Sequence, residues 1–438
     1  MNYPNFEKFE TLNYHLRDYA ELKCEQGASE AATLIVNNVR KYMEDAVCQI
    51  ENLPDNETQK EMEPDDLKSI LDLRENGKRR LWKALPNEAI LQNKMNGALI
   101  GRMVGCILGS PVELMTVENM RDWCDYLGKS FPPTDFWEDV ERPYIKNFYG
   151  AYRYEYKKQN MKCVPVDDDI VYTQLALLIL EEYGPDFTTE NVGAAWERYL
   201  PFACTAEEVA LNNLKKGIPA SQAAVKGNPY RQWIGAAIRS DGFAYAAAGY
   251  PEKAARMAYY DAFLSHRRNG IYGEMFLAAA QSAAFAVQDS IEAIQIGLTE
   301  IPRECNLHKD IEWALLVGTG VKDYKDARRL VDERFHGMNN VHTNNNLCLI
   351  VFGLMIANGD IVKGLSELVA MGLDNDCTAA SAGSILGAVV GKNKIPKYLY
   401  ERFHNQADTY LKETGKFDID DMTNRFIRIT KQIYEKQE

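Results

Sequence analysis

Glycine recurs at every fourth residue in two stretches of this chain, at Gly97, Gly101, Gly105 and Gly109, and again at Gly383, Gly387 and Gly391 after Ala379. In a helix interior each glycine costs about 1 kcal/mol relative to alanine, so such a run needs a compensating contact. A spacing of four keeps the residues on one slowly drifting side of a helix, where the missing Cβ lets another backbone approach closely. Tight helix packing is sufficient to explain the glycines themselves. Each stripe also adjoins acidic residues: Glu113 follows the first, and Asp374 and Asp376 precede the second.

The rest of the chain fits the same reading. From Asn93 onward the texture is that of Ala- and Gly-rich helices, as in 242–266 and 273–288. No sustained alternation of Val, Ile and Thr marks a sheet, and no fixed-period repeat is present. The expected fold is all-α, a compact multi-helical bundle. Residues 1–90 alternate charged and apolar positions at helical spacing, with breaks at Leu53-Pro54-Asp55-Asn56 and Pro64-Asp65-Asp66. The expected division is therefore an N-terminal helical appendage over 1–90 and a main domain over 91–438. Two apolar stretches, 95–115 and 377–391, are expected to be buried core helices. Arg102 and Glu113 interrupt the first, and the second is too short to span a bilayer.

Charge and cysteine usage narrow the function. Fifty basic residues against sixty-three acidic ones leave a net charge of −13, which argues against nucleic acid or an anionic membrane as partner. The nine cysteines are scattered without a CxxC pair, a pattern that fits a reducing compartment better than a disulfide framework or zinc site. The N-terminal residues lack the apolar core of a secretory signal, so a cytoplasmic location is expected.

Two acidic clusters carry the chemistry. Asp167, Asp168 and Asp169 run directly into the apolar segment 170–184 and so sit at a helix N-terminus. One aspartate there is ordinary capping; three adjacent ones repel each other and call for a counter-cation. Asp374 and Asp376 stand two residues apart before the helix-forming segment 379–391, between apolar flanks that point them into a concavity. Hard divalent cations such as Mg²⁺ prefer carboxylate, hydroxyl and water oxygens, and two acidic turns from distant parts of the chain can share one or two of them. Solvated helix caps are the alternative.

Three segments together resemble the ADP-ribosylglycohydrolase family: 96–113, ending in Glu113; Asp167-Asp168-Asp169 with 172–177; and 372–378 with the Gly383/Gly387 helix. The resemblance spans roughly residues 93–400. It implies a compact all-α fold with a dinuclear Mg²⁺ site, Mn²⁺ being the substitute, at the bottom of a cleft for ADP-ribose. By motif position it implies Asp168, Asp169, Asp374 and Asp376 as carboxylate ligands. Asp167 stands where the family commonly has a Thr or Ser ligand, and Cys377 where a liganding Thr is common. Ile170 replaces another frequent Thr, and Cys106 a frequent Asp. The implied metal set is Asp167, Asp168, Asp169, Asp374, Asp376 and Cys377, with Glu113, Asp168 and Asp376 as catalytic carboxylates.

The implied reaction is hydrolysis at C1″ of ADP-ribose linked to a protein side chain or a small molecule, through an oxocarbenium-like state. Glu113 is the candidate gating or acid–base carboxylate, and Glu207 a weaker one. Arg239 is a plausible pyrophosphate partner on charge grounds. His266 reads as a packing residue. Asn269, Tyr272 and Glu274 either line the cleft or only mark a turn, and 341–346 either caps a helix or bonds to ribose or phosphate. Rival readings are a hydrolase of a small N-riboside or modified nucleotide, and a non-enzymatic ADP-ribose-binding relative.

Overall fold

The computed structural model describes residues 3–4, 6–139 and 153–436. The chain forms two units, 1–60 and 61–438. In the first, α1 (Glu7–Glu25) and α2 (Ser29–Glu51) make a helical hairpin whose turn passes through Gly27 at φ +85°. Ala32 is its one buried residue among those described, and Phe9, Leu12, Ile35, Val47 and Ile50 are exposed.

The expected boundary at residue 90 moves to residue 60, because 61–90 is stitched into the larger unit. Glu63 accepts from the Asn269 amide at 3.0 Å and from the Asn306 backbone N–H at 2.8 Å. Arg79 reaches Glu300 at 2.6 Å, Arg74 pairs with Glu252 and Glu300, and Ile70 is fully buried.

Among the described residues the larger unit is helical apart from a two-residue antiparallel strand pair, Gln406–Ala407 with Phe417–Asp418. Its principal helices are α3 (Glu88–Gly109), α4 (Asp168–Tyr183), α5 (Pro251–Ala262), α6 (Asn269–Ala284), α7 (Thr343–Ala357), α8 (Ile361–Met371), α9 (Asn375–Val390) and α10 (Ile419–Glu435). Helix α6 is buried along its whole length, as is α9 from Asn375 to Ala388; helices apolar all round belong inside a core. In α10 the spacing of Met422, Phe426, Ile429 and Ile433 gives one buried face, laid on α3 and α4. The stretch 377–391 is thus a core helix as far as Val390, whereas 95–115 is one only to Gly109, after which a short 3-10 turn over Ser110–Val112 leads to Glu113 and an exposed Leu114. Among the described residues no single helix is long and apolar enough to cross a membrane.

The two glycine stripes face each other. Helices α3 and α9 run antiparallel, and a Cβ placed on Gly97, Gly101 or Gly105 falls 2.3, 2.1 or 2.1 Å from the carbonyl oxygen of Gly387, Gly383 or Ala379. The close approach brings backbone against backbone over about three turns, and packing contacts of this kind offset the cost of helical glycine. At the end of the row, a Cβ on Gly109 falls 2.4 Å from the Asp376 Cα. The row therefore sets the distance between the end of α3 and the start of α9. A Gly101→Ala substitution is expected to destabilise the protein by about 2 kcal/mol, since the new methyl meets a backbone oxygen that no rotamer change can move. The check is a denaturant midpoint compared with that of Ala98→Gly, which exchanges the same two residue types one turn earlier in α3.

Candidate active site

The acidic clusters, distant in sequence, meet at helix N-termini. Asp167 is the N-cap of α4, its Oδ1 accepting from the Asp169 N–H at 3.2 Å, so Asp168 and Asp169 fall in the first turn. Asp374 precedes α9 and Asp376 lies in its first turn. Left-handed backbone at Gly372 (φ +72°) and Leu373 (φ +60°) reverses the chain there, and the Leu373 carbonyl accepts from the Leu114 N–H at 3.1 Å. That bond ties the turn after α3, which carries Glu113, to the turn before α9.

Three sets of side chains each bring their ligand atoms within 4.8 Å of one another: Cys106, Asp167 and Asp169; Asp169, Asp376 and Cys377; and Glu113, Asp374 and Asp376. Asp168 belongs to none of these sets and instead faces the adjoining cleft. The cleft has a volume of about 550 Å³, within the range of roughly 300–1,000 Å³ usual for small-molecule sites. Its lining includes the acidic and thiol groups of Glu113, Asp168, Asp374, Asp376 and Cys377 and the more apolar Tyr172, Trp233, Ile234 and Ile238. Arg153, Thr205, Glu207, Asn339 and Asn340 are also among the residues that line it.

The electrostatics show a shortage of positive charge. Burial is the main cause that lifts every shifted carboxylate here, and neighbouring carboxylates add to it. The Glu113 carboxyl is pushed up to about 7 by burial and Asp374, against the pull of Arg153. That of Asp168 rises to about 8 by burial, Asp167 and Glu113. Asp376 and Asp169 are raised well above the usual carboxylate range, and Asp374 is raised as well. Two arginines oppose this. Arg102, 1% exposed, donates to the Asp169 carbonyl at 2.9 and 2.5 Å and to its carboxylate at 3.2 Å, and pairs with Asp241 at 2.6 Å. Arg153 reaches Glu113 at 2.5 Å, Asp167 at 3.3 Å and Asp376 at 3.9 Å. Ser110 donates to Asp167 at 2.6 Å.

Asp374 Oδ1 and Asp376 Oδ1 are buried and have no hydrogen-bond partner. Unpaired carboxylate oxygens in a protein interior are costly, and a divalent cation satisfies them. The set of hard oxygen donors suits Mg²⁺ or Mn²⁺. Cys377 fits less well: its thiol donates to Asp169 Oδ2 at 3.1 Å, and burial among carboxylates pushes it far up, away from the thiolate that binds metals.

Other sequence candidates fall elsewhere. Arg239, expected as a pyrophosphate partner, is 1% exposed and pairs with Glu207 at 2.5 Å, with Asp261, and with Glu274 at 3.4 Å, so it is not free for a ligand. Of that group only Glu207 reaches the cleft; a Cβ on Gly235 falls 2.3 Å from its Oε1. His266 is buried with Nδ1 2.8 Å from Ser265 Oγ, a packing role as expected. Asn269 and Tyr272 hold Glu63 and the Pro64 carbonyl rather than lining the cleft, and Gly270 and Gly273 lie inside α6, not in a turn.

In the polar run 341–346, Val341 lines the cleft and the polar residues after it make structural bonds. Asn346 donates to the Asn340 and His342 carbonyls and accepts from the Asp374 N–H at 3.3 Å, while Asn344 donates to Asp310 at 2.8 Å. His342 caps α7: its Nδ1 accepts from the Asn344 N–H at 3.2 Å, which requires the neutral ring. Burial pushes the imidazole down to about 4, below the value of about 6.5 in an unfolded chain. Between those values the unfolded state binds the extra proton. The cap's contribution is therefore complete above pH 6.5 and fades as the pH falls. We expect His342 to cost about 2 kcal/mol of stability at pH 5 relative to pH 8, and His342→Asn, which keeps an acceptor that does not titrate, to lack that loss. Urea midpoints of the two proteins at both pH values check it.

Sequence reasoning missed Arg153, the Arg102 anchor, Ser110 and the Trp233 wall. Trp233 is held where the backbone at 232–234 pairs with 341–343, Ile234 N–H donating to the Val341 carbonyl at 2.9 Å. A tryptophan next to Tyr230-Arg231-Gln232 was the one local hint.

No curated protein matches this chain. Among solved structures, an ADP-ribosylglycohydrolase-related protein complex shares the fold at a TM-score of 0.50 and 17% identity, with 78% of this chain and 99% of that one covered. Residues 87–435 match the ADP-ribosylglycohydrolase family, a span that holds both glycine stripes, both acidic turns and the whole lining of the cleft. The chain therefore belongs to the ADP-ribosylglycohydrolase family and is a glycosidic-bond hydrolase.

Proposed function

We propose that this protein is a divalent-cation-dependent hydrolase that cleaves the bond at C1″ of ADP-ribose attached to a protein side chain or small molecule. The observation that carries the cation dependence is the pair of buried, unpartnered oxygens on Asp374 and Asp376. Asp167, Asp168, Asp169, Asp374 and Asp376 would hold Mg²⁺, two ions being the proposal, with Mn²⁺ as substitute. Bound there, such ions orient substrate oxygens and make a water a better nucleophile. Cys377 would stand beside them as a hydrogen-bond donor to Asp169.

The protein's own groups supply the rest. Cleavage at an anomeric carbon builds positive charge on the sugar, and the excess of carboxylates facing the cleft stabilises it. Glu113 stands at the cleft with its carboxyl near 7, where it both holds and releases a proton at neutral pH. It is proposed as the acid–base group, with Asp168 and Asp376 fixing the reacting centre against it. The apolar lining residues Trp233 and Ile234 limit water around the sugar.

The test is release of ADP-ribose from arginine-, serine- and acetyl-linked conjugates and of ribose from N-ribosides, each with Mg²⁺ and with EDTA. Mg²⁺-dependent release from an ADP-ribosyl conjugate is expected. Release that persists unchanged in EDTA would sink the cation dependence, and turnover confined to N-ribosides would replace the substrate class.

A further inference from the structure

Arg153 differs from the other arginines near this site. Arg102 and Arg239 are 1% exposed and are each fixed by several partners of their own. The Arg153 side chain keeps 27% exposure, lines the cleft, and rests on the Tyr156 ring at 5.4 Å. Its guanidinium bridges Asp167 and Asp376, one from each acidic turn, and Glu113. Among the described residues lining the cleft, Arg153 is the one with a fixed positive charge.

We infer that Arg153 is an exchangeable counter-cation. In the metal-free chain it neutralises Glu113, Asp167 and Asp376. A divalent cation contests the same oxygens, and the displaced guanidinium then serves the anionic diphosphate of a ligand in the same cleft. The inference rests on the cation-dependent reading above. Its physical basis is charge: a divalent ion on Asp167 and Asp376 repels a guanidinium a few ångströms away, while Glu113 alone holds it less firmly. A diphosphate entering a cleft otherwise lined by carboxylates needs a cation, and a planar guanidinium suits phosphate oxygens. Remaining partly exposed, the side chain can change partners without opening the core.

The experiment compares wild type with Arg153→Gln in the full chain. Mn²⁺ binding is followed by the paramagnetic resonance of free Mn²⁺, and ADP-ribose binding by calorimetry at saturating Mn²⁺. Arg153→Gln is expected to bind Mn²⁺ about tenfold more tightly and ADP-ribose about tenfold more weakly, a pair of opposite changes that general damage to the site does not produce. Melting in EDTA confirms that the variant folds. Mn²⁺ binding by the variant alone supports the inference in its strongest form. Unchanged or weaker Mn²⁺ binding by the variant overturns it, and tighter Mn²⁺ with unchanged ADP-ribose overturns the exchange. If neither protein binds Mn²⁺, the cation-dependent reading itself falls and takes the inference with it.

Discussion

Asp376→Asn is expected to lower turnover of an ADP-ribosyl conjugate about 10³-fold, or about 4 kcal/mol of transition-state stabilisation, while leaving the metal-free fold intact. Asp376 faces Glu113 and Asp374 in one group of converging oxygens and Asp169 and Cys377 in another, so two clusters share it. Its carboxyl is lifted by burial first, then by Glu113, Asp374, Asp167 and Asp169. Asparagine keeps the shape and one oxygen but removes the charge a divalent cation needs. In EDTA the variant is expected to melt at or above the wild-type temperature, because a neutral amide relieves repulsion among buried carboxylates. Added Mg²⁺ is expected to raise the wild-type melting temperature more than that of the variant. Wild-type turnover in the variant would remove Asp376 from the proposed machinery; a collapsed fold in EDTA would mean that the residue is structural.

What the sequence disclosed was what depends on neighbours along the chain. A glycine spacing of four is a property of one helix, and so is an aspartate run that opens an apolar segment. Helical class, buried stripes and acidic turns could all be read from such patterns. Pairings between distant segments could not. Nothing in the spacing of Gly97 to Gly109 says that Gly383 and Gly387 lie opposite them, although the close approach is what sets the place of Asp376 beside Gly109. Arg239 and Arg153 show the limit for charge. Both are single arginines without a motif, and only the fold makes the first a partner of Glu207, Asp261 and Glu274 and the second a lining residue of the cleft. The boundary expected at residue 90 failed for the same reason: 61–90 has the polar texture of an appendage, yet Glu63, Arg74 and Arg79 find their partners beyond residue 250.

Arg102 illustrates both sides, for its charge in an apolar stretch argued against a membrane span without revealing its task. It lies one residue after Gly101 on α3, about 100° round the helix from the face packed on α9, and reaches the first turn of α4. There its guanidinium donates to the Asp169 carbonyl and carboxylate and to the Ile238 carbonyl, and forms an ion pair with Asp241. Asp241 in turn accepts from the Tyr245 hydroxyl at 3.1 Å, so one buried cation fixes two acids and the first turn of α4. Arg102→Met fills similar volume but leaves Asp169 and Asp241 without their counter-charge. The expected cost is about 3–5 kcal/mol, the usual penalty for breaking a buried ion pair from one side. Adding Asp241→Asn to Arg102→Met is expected to recover part of that loss, because the second buried anion is then gone; Asp169 is left unchanged so that its proposed role with metal is not disturbed. Urea midpoints of the wild type, both single variants and the double variant give the coupling energy directly. A cost below about 1 kcal/mol for Arg102→Met would mean that the ion pairs of Arg102 with Asp169 and Asp241 add little net stability over a buried apolar side chain of similar volume.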